Sequence, residues 1–171
     1  ALARAGDVED RDLSFAPWLD YRDGSHRDLD AVERYVAADA ATDRHEEATQ
    51  VLERALLVSQ RQKGLFDVSQ NGLRLQLANS LIESGRGLEA HQQMQSLLQT
   101  SETAYGKNDL RLAEIQDVGG DWYSRWGFFE IGRDLYRLAI QTIEAKAGPT
   151  DPKLVNPLRS LGRSFIRELL F

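Results

Sequence analysis

The stretch Gly85-Arg-Gly-Leu-Glu-Ala90 matches GxGxxA, the glycine-rich fingerprint that holds a dinucleotide pyrophosphate against a helix N-terminus. This chemistry requires a buried strand directly before the first glycine, because the fingerprint forms the first turn of a β-α-β unit. Residues 73–83 instead show the apolar spacing of a helix, and the equivalent turn at Gly127 lacks the second glycine. Nucleotide binding is therefore not expected, and no cofactor is assigned.

The histidines His26, His45 and His91 are the most recognisable candidate metal ligands in a chain that has no cysteine. No two of them have the i, i+4 spacing that would place both imidazoles on one helix face, so they are expected to be solvated and no metal site is assigned. The sequence also lacks GxSxG, HExxH and EF-hand patterns. Because no activated nucleophile or acid–base pair is recognisable, no catalytic residue is predicted and the protein is not expected to be an enzyme.

Charge and hydropathy argue against nucleic-acid binding and against a transmembrane helix. The chain of 171 residues carries 27 acidic and 21 basic residues, a net charge of −6, whereas a nucleic-acid-binding surface needs an excess of lysine and arginine. No apolar run reaches the roughly 20 residues that a transmembrane helix requires. We therefore expect neither a nucleic-acid partner nor a membrane span. Both cytoplasm and periplasm are compatible with the absence of cysteine, so the compartment stays open.

An internal repeat organises most of the sequence. A glycine followed three residues later by aspartate recurs every 42 residues, at Gly64 and Asp67, Gly106 and Asp109, and Gly148 and Asp151. Other positions follow the same shift. Small or short side chains recur at Ala78, Gly120 and Gly162 and again at Ala48, Ala90 and Gly132, and bulky ones recur at Leu81, Tyr123 and Phe165 and at Leu52, Met94 and Tyr136.

Helix boundaries follow from the same repeat. Asp67, Asp109 and Asp151 are suited to be N-caps, since a carboxylate accepts backbone N–H bonds at the positive end of a helix dipole. Gly85 and Gly127 fall between helices, where a residue with positive φ is favoured. The predicted helices span 26–40, 45–62, 68–83, 87–104, 110–126, 129–146 and 152–170.

The order of small and aromatic residues at Gly120, Tyr123, Gly132, Tyr136 and Ala139 resembles the tetratricopeptide repeat (TPR). The 42-residue period is most similar to the longer repeats of kinesin light chains. The resemblance implies an all-α fold, a right-handed α-solenoid of antiparallel helix pairs with about three and a half repeats. The expected divisions are an N-terminal extension or cap at 1–24, repeats at 25–66, 67–108 and 109–150, and the first helix of a fourth at 151–171.

Glycines within the predicted helices have a packing role in this interpretation. Two helices that cross without Cβ atoms approach closely, so Gly120 and Gly132 are expected to face each other's helices. The aromatic cluster that follows Gly120 is expected to be core rather than an exposed binding anchor, although one exposed tryptophan could serve as such an anchor. This cluster consists of Trp122, Trp126, Phe128 and Phe129. On the final helix, Leu158, Leu161, Phe165 and Leu169 form an apolar stripe that something is expected to cover.

A concave surface lined mainly by the first helices of the pairs is where the resemblance places a bound peptide. Carried over from the family's groove positions, the inward-facing residues are Asp30, Glu33, Asn79, Glu114, Asp117, Asp121, Arg159 and Arg163. Arg167 follows Arg159 and Arg163 at helical spacing on the same face and is assigned to the groove with them. Asn79 resembles the asparagine that hydrogen-bonds a ligand backbone or terminal carboxylate in peptide-binding members, but it could equally be a solvent-facing polar residue. Stacking of the repeats predicts that Asp117 pairs with Arg159 and Asp121 with Arg163. The alternative is that the arginines bind an acidic group of the ligand.

The function that the sequence favours is a noncatalytic scaffold that binds a peptide segment of a partner protein. Two alternatives stay open. The chain could be a structural or self-assembling part of a longer solenoid, with a possible homodimer through the C-terminal helix, or it could be an accessory or sensor domain for a small ligand.

Overall fold

The computed structural model describes residues 45–170, and these contain helices and short connections but no strand. The α-helices are α1 His45–Lys63, α2 Asn71–Glu83, α3 Gly87–Tyr105, α4 Leu110–Arg125, α5 Phe129–Ala147 and α6 Val155–Glu168. The predicted all-α class is therefore confirmed for this part of the chain. The predicted helix at 26–40, the groove residues Asp30 and Glu33, and His26 lie outside the described residues.

The predicted N-caps are confirmed. Asp67, Asp109 and Asp151 each accept a hydrogen bond of 2.8 Å from the backbone N–H two residues later. Asp109 leads directly into α4, whereas Asp67 and Asp151 are followed by 3₁₀ turns, Val68–Gln70 and Pro152–Leu154, before α2 and α6 begin. The sequence predicted continuous α-helices from residues 68 and 152. In the structure the first turn of each is instead a tighter 3₁₀ turn.

Glycines with positive φ end the helices that precede the turns. Gly85 and Gly127 have φ values of 81° and 84°, as predicted. After each glycine the next backbone N–H reaches back to the last turn of the helix, from Arg86 to the Leu81 carbonyl at 2.7 Å and from Phe128 to the Tyr123 carbonyl at 2.9 Å. This is the Schellman closure, in which a glycine adopts the left-handed conformation without a Cβ penalty.

The crossing of α4 and α5 is tight at the two glycines that the sequence singled out. A Cβ atom added to Gly120 would lie 2.5 Å from Cε1 of Tyr136 and 3.0 Å from the Gly132 carbonyl oxygen. A Cβ atom on Gly132 would lie 2.8 Å from the Gly120 carbonyl oxygen and would also collide with the Ser124 hydroxyl. The predicted close approach is confirmed, and the absence of both Cβ atoms permits it.

Buried apolar residues connect successive helices. One core cluster joins α1, α2 and α3 to Trp122 and Tyr123 of α4, and a second joins Ala113, Ala139 and Ile143 to Leu154. Each helix contacts the next along the chain, the most extensive contact is between α4 and α5, and α4 also contacts α6. These contacts place α4 at the centre of the C-terminal half of the described residues.

One packing expectation needs correction, and the apolar stripe of α6 is covered in part within the described residues. Trp122 and Phe129 are buried and Trp126 is partly buried, but Phe128 is 48% exposed and makes an edge contact with the Tyr123 ring. On α6 the buried residues are Pro157, Ser160 and Ser164. The predicted apolar stripe is offset from that face, because a shift of one position rotates a helix by about 100°. Leu161 is partly buried, whereas Leu158, Phe165 and Leu169 are exposed.

Candidate functional site

The predicted groove residues within the described part of the chain lie on three helices. They are Asn79 on α2, Glu114, Asp117 and Asp121 on α4, and Arg159, Arg163 and Arg167 on α6. Asn79, Asp121 and Arg163 are 42 residues apart and occupy equivalent helix positions, as do Asp117 and Arg159. We call all seven residues on α2, α4 and α6 the polar face.

Asn79 connects α2 with α4. The indole Nε1 of Trp122 donates a hydrogen bond of 3.0 Å to the Asn79 side-chain oxygen, and Trp122 itself is 4% exposed. The buried indole thereby obtains an acceptor, which an indole needs when it leaves water. The oxygen of Asn79 is thus occupied, and its side-chain NH₂ group remains as the part that can donate to a ligand.

The carboxyl group of Asp117 lies in an environment that disfavours its ionised form. Its side chain is partly buried, and its Oδ1 atom is inaccessible to solvent and has no hydrogen-bond partner. Desolvation, followed by the charge of Asp121, raises the pKa of Asp117 to about 6, while Arg159 opposes the shift. The protonated acid is favoured because a carboxylate taken out of water without a donor loses solvation energy.

Asp121 obtains a partner within the fold. The hydroxyl of Tyr136, on α5, donates a hydrogen bond of 2.7 Å to an Asp121 carboxylate oxygen. Tyr136 is 1% exposed, and burial raises the pKa of its hydroxyl well above the usual value, so this hydroxyl remains a donor. The sequence did not predict this bond, although Tyr136 was recognised as a repeated bulky position.

The predicted salt bridges between α4 and α6 are not formed. No ion pair joins Asp117 to Arg159 or Asp121 to Arg163, although all four residues are described. Arg159 donates instead to the Asn156 side-chain oxygen at 3.1 Å on its own helix. Arg159 is still close enough to lower the pKa of Asp117 by its charge, without forming an ion pair with it.

The remaining charges of the polar face are exposed. Glu114 lies 3.5 Å from Nζ of Lys153, an exposed pair in which both side chains reach solvent. Arg163 and Arg167 are exposed and make neither an ion pair nor a side-chain hydrogen bond with any described residue. Their guanidinium groups therefore keep all their donors available to a ligand.

A second polar contact lies between α5 and α6 and was missed by sequence analysis. The Arg133 side chain is almost fully buried, donates to Glu168 at 2.8 Å and to Glu130, and stacks over the Phe165 ring at 4.7 Å. One repeat earlier, His91 lies 2.9 Å from the Tyr123 hydroxyl and makes an edge contact with the ring. His91 was expected to be solvated, and this contact corrects that expectation.

Among residues 45–170 no group of histidine, cysteine and carboxylate side chains could hold a metal ion, and no helix is long and apolar enough to cross a bilayer. The sequence matches no protein-family model, and comparison with the curated proteins gives no significant match.

Proposed function

We propose that the protein is a noncatalytic scaffold that binds a peptide segment of a partner protein across the polar face of α2, α4 and α6. In this proposal the helices form a right-handed, TPR-like solenoid of antiparallel pairs. The 42-residue spacing of Asn79, Asp121 and Arg163 supports it, as do the contacts of α4 with both α3 and α6. An elongated array of polar positions suits an extended peptide better than a compact metabolite.

The observation that carries the proposal is the unsatisfied hydrogen-bonding capacity of the polar face. The buried oxygen of Asp117 on α4 has no donor, while Arg163 and Arg167 on α6 have no acceptor among the described side chains. An unpaired buried polar atom is destabilising by roughly 1–3 kcal/mol. A ligand that accepts hydrogen bonds from Arg163 and Arg167 would use their free donors, and a basic group near Asp117 would stabilise its ionised form.

Charge separation across this face indicates the chemistry of the ligand. Glu114, Asp117 and Asp121 follow one another on α4, and Arg159, Arg163 and Arg167 follow one another on α6. A segment that crosses from α4 to α6 would therefore place a lysine or arginine near the carboxylates and an acidic residue near the guanidinium groups. Arginine binds carboxylates in a bidentate manner, which would fix the direction of the segment.

The experiment is a selection of displayed peptides by the full chain, followed by affinity measurement with labelled synthetic copies. We expect the selected peptides to carry a basic residue followed or preceded by an acidic one. The Arg163→Glu, Arg167→Glu double variant should weaken binding about tenfold or more, and less so at high salt. Arg54 and Arg61 are exposed on α1 and have no ion pair among the described residues, so Arg54→Glu, Arg61→Glu is the matched control. Equal affinities for wild type and the Arg163, Arg167 variant at low salt would refute the proposal.

Self-association is the second candidate, and the exposure of α6 favours it. Leu158, Ile166 and Leu169 are 51%, 61% and 86% exposed, although isolated proteins rarely leave several large apolar side chains of one helix in water. A homodimer through α6 would cover them. Light scattering of wild type and of Ile166→Lys, Leu169→Lys across a concentration series tests this: a dimer that the double variant abolishes supports self-association, and a monomer in both excludes it.

A further inference from the structure

One side of α4 is covered by α5, and its residues are buried as a result. A Cβ atom added to Gly120 at the centre of this side would lie 2.5 Å from Cε1 of Tyr136 on α5. The residues around Gly120 at helical spacing are almost fully buried, at 0–8% exposure. They are Ala113, Gln116, Tyr123 and Ser124. Helix α5 therefore closes this side of α4.

The corresponding side of α6 is open within the described residues. One repeat later, the equivalent residues are Val155, Leu158, Phe165 and Ile166, at 47–61% exposure. Gly162 lies at their centre, and a Cβ atom there would meet nothing within 4 Å. Large apolar side chains around an uncovered glycine form a surface that another helix can approach closely. We call these five residues the apolar face of α6.

Arginines border the apolar face of α6 along one edge. Arg159 and Arg163 are four residues apart on that edge, and neither forms an ion pair with a described residue. The opposite edge packs on α5, where Glu168 accepts a hydrogen bond from Arg133. A helix that covers the apolar face would therefore meet two guanidinium groups along its free edge. Carboxylates of that helix would pair with them.

A second copy of α6 suits the apolar face less well than an acidic helix does. Like edges adjoin when two copies of a helix pack antiparallel, so Arg159 and Arg163 of both copies would lie together and repel each other. In a parallel pair, the arginine edge of one copy would meet the edge that already packs on α5. Charge therefore favours a different helix, although a homodimer would bury the same apolar side chains.

We infer that the apolar face of α6 binds an acidic amphipathic helix of a partner protein, which packs on α6 as α5 packs on α4. This helix carries a small residue against Gly162, apolar residues on either side of it, and carboxylates opposite Arg159 and Arg163. The site differs from the proposed peptide groove, which uses the polar face. The two surfaces share only the edge of α6 that carries the arginines.

Two synthetic peptides that copy residues 128–147, the segment that contains α5, serve as probes. One carries Tyr136→Glu and the other Tyr136→Lys, because the Tyr136 hydroxyl reaches Asp121 on α4 and the equivalent residue on α6 is Arg163. Fluorescence anisotropy of each labelled peptide with the full chain measures affinity. We expect saturable binding of the glutamate peptide, at least about tenfold tighter than that of the lysine peptide, and a smaller difference at high salt.

Variants of the full chain locate the binding surface. Gly162→Leu should weaken binding of the glutamate peptide about tenfold or more, because the leucine blocks close approach of a second helix. It should leave the melting temperature unchanged or raise it, since the added side chain points into open space and leucine is a good helix former. Ile166→Lys should also weaken binding. Leu138→Lys is the matched control and should retain wild-type affinity, since Leu138 is 47% exposed on α5 and lies outside the apolar face.

Three results would overturn the inference: no saturable binding of either peptide, equal affinities of the two peptides at low salt, or equal binding by Gly162→Leu and wild type. A concentration-dependent dimer that Gly162→Leu abolishes would assign the apolar face to a second copy and would also overturn it. Saturable binding of the glutamate peptide by a chain that selects no displayed peptide through the polar face would refute only the peptide groove.

Discussion

Asp117 shows how one side chain of the polar face is held in a state that costs stability. The raised pKa, about 6, results first from desolvation and second from Asp121 on the same helix. Arg159 on α6 lowers it, and the Tyr136 hydroxyl of α5 is engaged by Asp121 rather than by Asp117. The fold therefore retains a carboxylate that has neither an ion pair nor a hydrogen bond to its buried oxygen among the described residues. Such an unpaired carboxylate is typical of binding sites rather than of structural ion pairs.

Substitution of Asp117 by asparagine should stabilise the protein at neutral pH. The pKa is raised in the folded state, so the native protein binds more protons than the unfolded chain between about pH 4 and pH 6, and wild-type stability falls as the pH rises through that window. Asp117→Asn removes this loss. We expect a gain of about 1 kcal/mol at pH 7.5, after allowance for partial solvent exposure, and little gain at pH 4.

Urea unfolding at the two pH values measures this difference. Glu144→Gln is the control, because Glu144 is exposed and has no side-chain partner within residues 45–170. If the Asp117 variant gains as much stability at pH 4 as at pH 7.5, desolvation of the carboxylate is not the cause.

At the scale of helices, the crossing of α4 and α5 depends on two missing side chains. The positions equivalent to Gly120 in the other repeats are Ala78 on α2 and Gly162 on α6. Gly120 has no space for a Cβ atom, whereas a Cβ atom on Gly162 would meet nothing within 4 Å. The same repeat position is therefore constrained where a second helix packs against it and free where none does among the described residues.

Alanine substitutions at Gly120 and Gly162 should therefore have opposite effects. Gly120→Ala forces the Tyr136 ring and the Gly132 backbone apart and should cost roughly 1–3 kcal/mol. Gly162→Ala should be neutral or stabilising by up to about 1 kcal/mol, since alanine is the better helix former. Thermal and urea unfolding of both variants provide the comparison. Equal melting temperatures for the two variants would show that the crossing tolerates a methyl group.

For the molecule as a whole, burial decreases towards α6. Helices α4 and α5 contain Leu112, Tyr123 and Tyr136 at 1–2% exposure, whereas the buried residues of α6 are one proline and two serines. Local stability follows the amount of buried apolar surface, so α6 should open more readily than the helices it contacts.

Hydrogen–deuterium exchange of the full chain tests this gradient. We expect backbone amides of α6 to exchange faster than those of α4 and α5, which should exchange only with global unfolding. A partner or second copy that covers α6 would slow its exchange without affecting α4. Equal protection of α4 and α6 in dilute monomer would contradict the prediction.

The sequence by itself determined the local structure of this protein. The positions of α1 to α6, the aspartate caps and the positive-φ glycines follow from chemistry within one or two turns of helix, repeated every 42 residues, whereas the Gly120–Gly132 crossing was expected from the resemblance to the repeat family. N-caps, left-handed glycines and apolar spacing act over a few residues, so they can be recognised without knowledge of the rest of the chain.

Only the tertiary structure decided which polar groups are paired. Asp121 accepts a hydrogen bond from Tyr136, and Asn79 accepts one from Trp122. Arg133 is buried and donates to Glu168. Asp117 and Arg163 lack the partners that repeat stacking predicted. Such contacts depend on the rotation and axial shift of one helix against another, and an error of one residue turns a side chain by about 100°. Hydrogen bonds and ion pairs are lost over about 1 Å, so the equivalence of positions in a repeat is too coarse to assign them.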